Sequence, residues 1–178
     1  LLPARQVRPF VRSNKDDAAD ARAIWLAAQQ GDIRRVPIKN CEQQAVLALH
    51  RTRAHWVSVR TATVNSLRGL LYEFGVVLRG GRQAGLKALA EQRAAIDEQL
   101  PEAMRLLVNG QLRSLEQINE RVDELERELA ALQCQMDKAV QLRKVPGIGV
   151  LGATALAATL GDGAAWRSGR EFSASIGL

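Results

Sequence analysis

Two carboxylates have the clearest chemical potential in the chain. In Lys15-Asp16-Asp17-Ala18-Ala19-Asp20, Asp17 and Asp20 stand three residues apart, so on a helix both project from one face. A pair so placed can hold a divalent cation through oxygen ligands. Such a cation activates a nucleophile and stabilises a leaving oxygen in phosphodiester chemistry. Two acids are fewer than that site needs, and acids in a first helical turn are favourable with the helix dipole without any metal. Spacing alone leaves a metal role and a dipole role both open.

A cationic group follows. At 100° per residue His50, Arg53, Arg60 and Arg68 fall within one quadrant of a helix, with Thr61 and Asn65 nearby as hydrogen-bonding groups. Guanidinium groups spaced along a helix axis can track a phosphate backbone, and few acids interrupt the row; an ordinary solvated face has the same composition. The third constellation is Val145-Pro146-Gly147-Ile148-Gly149-Val150. Gly147, Gly149 and Gly152 spell G-x-G-x-x-G, but a heptad helix and not a strand precedes them, which argues against a dinucleotide-binding turn. A helix-hairpin-helix turn fits better: its glycines expose backbone N–H groups at a helix N-terminus to a phosphate, or serve close packing. His50 and His55 are five apart, off the spacing that would place two metal ligands on one helical face.

The elements that must carry these groups are mostly helices. A helix is predicted from near Ser13 or Asn14, with Asp16 and Asp17 in its first turn and Ala21, Ile24, Trp25 and Ala28 as its apolar set up to Gly31. Residues 33–38 alternate as a short strand or extended link, with Pro37 favouring an edge. A long helix is predicted from Cys41 to about Phe74, with Val46, Leu49, Ala54, Val57, Val64, Leu67 and Leu71 as its stripe and Gly75 as its stop. A helix is expected over Gln83–Gln99, and Pro101 opens the next segment. Leu115, Ile118, Val122, Leu125, Leu129, Leu132 and Met136 alternate in steps of three and four, a coiled-coil seam that needs a partner helix from the same chain or a second subunit. An Ala/Gly/Thr-rich helix follows the Gly147 turn, and Ser168-Gly169-Arg170-Glu171 is a capping box for a last helix through Phe172 and Ile176.

Composition narrows the class. Ala, Leu, Arg and Gln dominate the 178 residues and aromatics are 4%, which suits helices. Residues 1–82 hold 14 Lys/Arg against 6 Asp/Glu, and residues 83–178 hold 11 against 13, so the net charge of +6 is concentrated in the first half. A basic half suits a polyanionic partner. Cys41 and Cys134 lie far apart in no metal-ligand spacing, which points to a reducing compartment with both thiols as packing residues. No apolar run approaches the roughly 20 residues of a membrane span, and no signal-peptide pattern opens the chain. The chain begins at Leu1 without an initiator Met and ends within an apolar pattern at Ile176-Gly177-Leu178, so both ends are expected to be cuts.

Taken in order, Pro9-Phe10-Val11, Asn14 to Ala21, Arg51-Thr52-Arg53, Arg60 to Asn65, Glu73-Phe74-Gly75, Pro146-Gly147-Ile148-Gly149 and Gly169-Arg170-Glu171-Phe172 resemble one family across essentially the whole chain. They are similar to the DEDD-type transposases of insertion-sequence family one hundred and ten, most of all its eleven-eleven subgroup. The resemblance implies an N-terminal RuvC-like domain, a helical middle and a C-terminal transposase domain. It implies four acids that bind Mg²⁺, a nucleophilic serine in the C-terminal domain, and a non-coding guide RNA that acts with the protein on donor and target DNA. By the K-x-D-x-x-D pattern, Asp17 and Asp20 correspond to the last two acids and so to catalytic metal ligands. The first Asp and the Glu are expected upstream of Leu1 and the serine beyond Leu178, so Ser173 and Ser175 are not that serine. A fragment with half the metal site and no nucleophile is expected to be inactive alone.

The expectation is therefore a mainly α fragment of a bacterial, cytoplasmic transposase. Residues 1–40 would end a RuvC-like α/β domain, 41–78 would form a long basic helix, 79–144 a helical linker and coiled coil, and 145–178 the helix-hairpin-helix-like start of a C-terminal transposase domain. Arg53, Arg60, Arg68, Gly147 and Gly149 would contact nucleic acid, and the coiled coil would build a homo-oligomer. Two other classes compete: a non-enzymatic helix-hairpin-helix and coiled-coil protein that binds nucleic acid, and a dimerising scaffold with no affinity for it.

Overall fold

Most helix boundaries in this chain have a local cause. At Asn40 the side chain accepts the Gln43 N–H at 2.8 Å while Gln43 accepts the Asn40 N–H at 2.9 Å. This reciprocal capping box starts a helix that runs from Cys41 to Glu73. It stops at Gly75, whose φ of +78° only glycine adopts without strain. The Gly75 N–H reaches the Tyr72 carbonyl and the Val76 N–H the Leu71 carbonyl, both at 3.0 Å, which satisfies the last carbonyls in a Schellman motif.

The computed structural model describes residues 1–11, 16–33, 36, 38–161, 163 and 166–175, and among these it contains helices and no strand. In chain order they are α1 (Ala4–Val7), a 3-10 turn (Arg8–Phe10), α2 (Asp17–Ala28), α3 (Cys41–Glu73), α4 (Arg82–Glu91), α5 (Arg93–Gln99), α6 (Glu102–Gln135), α7 (Asp137–Leu142), α8 (Val150–Leu160) and α9 (Gly169–Ser175). The chain divides into two compact units, one of residues 1–44 with 158–178 and one of residues 45–157.

In the first unit, α2 packs on α1 and the 3-10 turn. Its buried residues are Ala23 and Ala27, while Ile24 and Trp25 are more than half exposed. The apolar set expected from sequence is thus the outward face, because two alanines permit a closer approach than the larger side chains. Asp16 is the N-cap of α2, and the expected start at Ser13 or Asn14 lies outside the described residues. The expected strand at 33–38 also falls partly outside them. Leu1 and Val36 exchange two backbone hydrogen bonds of 3.0 and 2.7 Å, the pattern of a hydrogen-bonded antiparallel pair. Ser168 caps α9 by accepting the Glu171 N–H at 3.2 Å, and the Glu171 carboxylate reaches back to the Arg167 N–H at 2.7 Å. Ile176 lies outside the described residues.

The second unit is built on two long helices. Arg53 meets Glu126 and, seven residues on, Arg60 meets Asn119 seven residues back, so α3 and α6 run antiparallel. Val64, Leu67, Leu71, Val76, Leu89, Ile96, Leu100, Val108 and Leu115 form one core between α3, α4, α5 and α6. Leu115, Ile118, Val122 and Leu129 of the heptad series are buried. The series does not continue as helix to Met136, which caps α6 in extended backbone and packs instead beside Ala139, Ala153 and Ala157. The predicted helix over Gln83–Gln99 is two helices broken at Gln92. Cys41 and Cys134 are exposed and free, contrary to the packing role expected of them.

Candidate functional site

Asp16 takes the cap of α2: its Oδ1 accepts the Ala19 N–H at 2.7 Å. That leaves Asp17 and Asp20 in the first turn without a hydrogen bond or ion pair among the described residues, Asp17 exposed and Asp20 half-buried. The cap is taken by their neighbour, so Asp17 and Asp20 act on α2 through its dipole alone and their oxygens on one face remain available. Oxygen donors of this kind suit a hard cation such as Mg²⁺. No group of three or more His, Cys, Asp or Glu that could hold a metal occurs among the described residues, so the pair is a half-set.

Arg53, Arg60 and Arg68 of α3 face protein. Arg53 holds Glu126 through Nη2 at 2.6 Å and Nε at 2.8 Å, both half-buried. Arg60 donates from Nη1 to Asn119 Oδ1 at 3.3 Å, and its Nε is buried with no partner. Burial lowers the Arg60 pKa first, then the charges of Arg82 and Arg53, against a smaller opposing effect of Glu126 and Asp123. Arg68 donates to the Gly80 and Gly81 carbonyls at 2.6 and 3.0 Å. Sequence spacing shows that the three share a face; it does not show that α6 and the 80–81 turn occupy that face. Arg82 and Asn119, which join the Arg60 cluster, carried no sequence signal of their own, because the contact spans 59 positions from Arg60 to Asn119 and 37 from Arg82 to Asn119.

At the α7–α8 turn the Ile148 N–H donates to the Val145 carbonyl at 3.1 Å, with Pro146 and Gly147 at the two central positions and Gly147 at φ +88°. This is the signature of a type II turn, which demands a glycine at the second central position. A Cβ at Gly147 or Gly149 would meet nothing within 4 Å. Packing therefore does not account for either glycine; the bare backbone in front of α8 faces open space. The close packing lies further along, where Ala139 of α7 meets Ala153 and Ala157 of α8.

His50 lies on the same row as the arginines. Its Nε2 is 2.9 Å from the Thr154 hydroxyl, which itself lies 2.9 Å from the Val150 carbonyl. The imidazole tautomer sets which of the two groups donates in the His50–Thr154 contact. Burial lowers the His50 pKa, and Arg53 lowers it further. A shallow groove of about 300 Å³ lies between α3 and α6, lined by Thr52, Trp56, Arg121, Glu124, Leu125 and Glu128. With two glutamates against one arginine, its rim does not suit a polyanion.

Known proteins share this sequence at length. Residues 1–75 match the family model of the IS110 DEDD group, described as a transposase. A “Probable family 20 transposase” of Pseudomonas aeruginosa is 41% identical over the whole chain, which covers 53% of that protein. The transposase for insertion sequence element IS1328 of Yersinia enterocolitica is 36% identical over the whole chain and 52% of its own length. The transposase for IS1111A of Coxiella burnetii is 34% identical, over the whole chain and 49% of its own. The chain spans about half the length of the curated relatives it matches. No solved structure matches it significantly. No helix among the described residues is long and apolar enough to cross a membrane. The family model covers the helix with Asp17 and Asp20 and all of α3, and the relatives align from end to end: the chain belongs to the IS110 family of DEDD transposases.

Proposed function

We propose that this chain is the nucleic-acid-holding middle of a DNA transposase whose full-length form exchanges DNA strands during transposition in the bacterial cytoplasm. The end-to-end match to proteins named transposases carries the proposal. Residues 1–40 belong to the end of a RuvC-like domain, for which the antiparallel Leu1–Val36 pair is support. Residues 41–78 form the basic helix, 79–144 a linker and coiled coil, and 145–178 begin the C-terminal transposase domain. Asp17 and Asp20 hold Mg²⁺ together with acids outside this chain, and the metal supplies Lewis acidity to the strand-exchange chemistry. The division of labour in which Asp16 alone caps α2 supports that role.

DNA and a non-coding guide RNA are the partners. The bare backbone at Gly147 and Gly149 meets phosphate in front of α8. Arg53 and Arg68, already engaged by Glu126 and by the 80–81 turn, act on nucleic acid mainly by shaping the surface around Arg60. Because α3 occupies α6 from Asn119 to Glu126, a second copy of the chain pairs outside that stretch of the coiled coil.

A salt titration with a fluorescently labelled DNA duplex and a labelled structured RNA tests this. Binding by the 178-residue chain should weaken linearly in log–log form as salt rises, through counterion release. No binding at 50 mM salt would contradict it and favour a dimerising scaffold.

A further inference from the structure

We infer that Arg60, Arg82 and Asn119, with the N-terminus of α4, form a binding site for a phosphate oxyanion, and that Arg68 positions it. The inference rests on the nucleic-acid reading above for the source of the phosphate, a strand backbone.

The cations that converge here outweigh the anions near Arg60, which are Glu126 and Asp123. Arg60 Nη1 and Arg82 Nη1 both point at Asn119 Oδ1, at 3.3 and 3.5 Å. These are long for N–H···O hydrogen bonds, and a neutral amide oxygen brings no charge to two cations. The nearby Glu126 is engaged by Arg53, and neither Arg60 nor Arg82 has an ion pair among the described residues. A phosphate oxygen would accept from both guanidinium groups in short, charge-assisted bonds. The lowered Arg60 pKa has the neighbouring Arg82 and Arg53 charges among its causes, as expected of cations gathered without enough anion.

The start of α4 makes the same point independently. Its N-cap is Gly81 with no side-chain cap, its first turn contains no acid, and its first residue is Arg82. Helix starts are stabilised by negative charge, and this one has a basic first residue and no acid of its own to complement its dipole. Arg68 fixes the place by gripping the carbonyls of Gly80 and Gly81, the two residues that lead into Arg82. A Cβ on Gly85 would stand 2.6 Å from Arg68 Nη2, the far end of a flexible side chain, so an alanine there would shift the guanidinium.

The test uses the 178-residue chain, with Arg82→Gln, Arg60→Gln and the double variant first compared by circular dichroism. The probes are a labelled 20-base single-stranded DNA in a salt series and inorganic phosphate in a thermal melt. Loss of one charge-assisted contact should weaken DNA binding about tenfold at low salt and make the salt slope shallower by about 0.7, the single-strand value per contact. Gly85→Ala should weaken it less, through displacement of Arg68. If the parent binds DNA and the double variant keeps its affinity and slope, the site is overturned while the nucleic-acid reading stands. If the parent binds no DNA but phosphate raises its melting temperature and the double variant loses that rise, the oxyanion site stands and serves a free phosphate. If neither probe responds, both fail. Should Arg60→Gln not fold, Arg82→Gln alone decides, since Arg82 lies at a helix start outside the apolar core.

Discussion

The α3–α6 pair has two halves of opposite chemistry. Toward the end of α3, Val64, Leu67 and Leu71 meet a core that includes Val108 and Leu115 of α6. Toward its start, His50, Arg53 and Arg60 meet Thr154, Glu126 and Asn119. Both halves use side chains three, four or seven residues apart on one face of α3, so periodicity does not separate them. What separates them is what the contact does. The apolar half contributes stability by removing surface from water. The polar half leaves the Arg60 Nε atom buried without a partner, an arrangement a protein selected for stability alone would avoid. One half is joined by apolar burial and the other by polar contacts.

Substitutions should respond accordingly. Leu67→Ala, at a fully buried position, should lower unfolding free energy by about 2–5 kcal/mol in urea melts, with little change on raising salt. Arg53→Ala should cost about 1 kcal/mol. A double-mutant cycle with Glu126→Ala should return a coupling of about 0.5–1 kcal/mol that shrinks between 0.1 and 1 M salt. A salt-independent coupling would blur the contrast between the halves. The smallest effect is on pH dependence. Because the folded-state pKa of His50 lies below its ordinary value of 6.5, the unfolded chain takes up the proton first. Stability is then complete above about pH 6.5, falls as pH drops below that, and levels off beneath the folded-state pKa. His50→Gln should remove this component from melts recorded as a function of pH, and no change would remove burial as the cause.

Sequence made the long elements legible because their causes are local. Gly75, the Ser168–Glu171 cap and the run from Leu115 to Leu129 each act within a few residues. The orientation of α2 was not legible, since Ala23 and Ala27 satisfy helical spacing as well as Ile24 and Trp25 do, and only what packs on α2 decides between them. The direction of Arg53 and Arg60 was hidden for the same reason: their partners lie 73 and 59 residues away. For the acids, spacing placed Asp16, Asp17 and Asp20 together, and the backbone conformation of Asp16 separated a capping acid from two that touch the helix only through its dipole.

That separation gives the most direct test of the central claim. Transposition by the full-length protein should be measured for Asp17→Asn with Asp20→Asn, and separately for Asp16→Ala, with the melting temperature of each. The account predicts that the double variant loses transposition while keeping its stability. It predicts that Asp16→Ala loses about 1 kcal/mol of stability, the usual cost of a lost cap, and still transposes. Unchanged transposition in the double variant would contradict the metal role and leave a non-enzymatic nucleic-acid-binding protein as the better description.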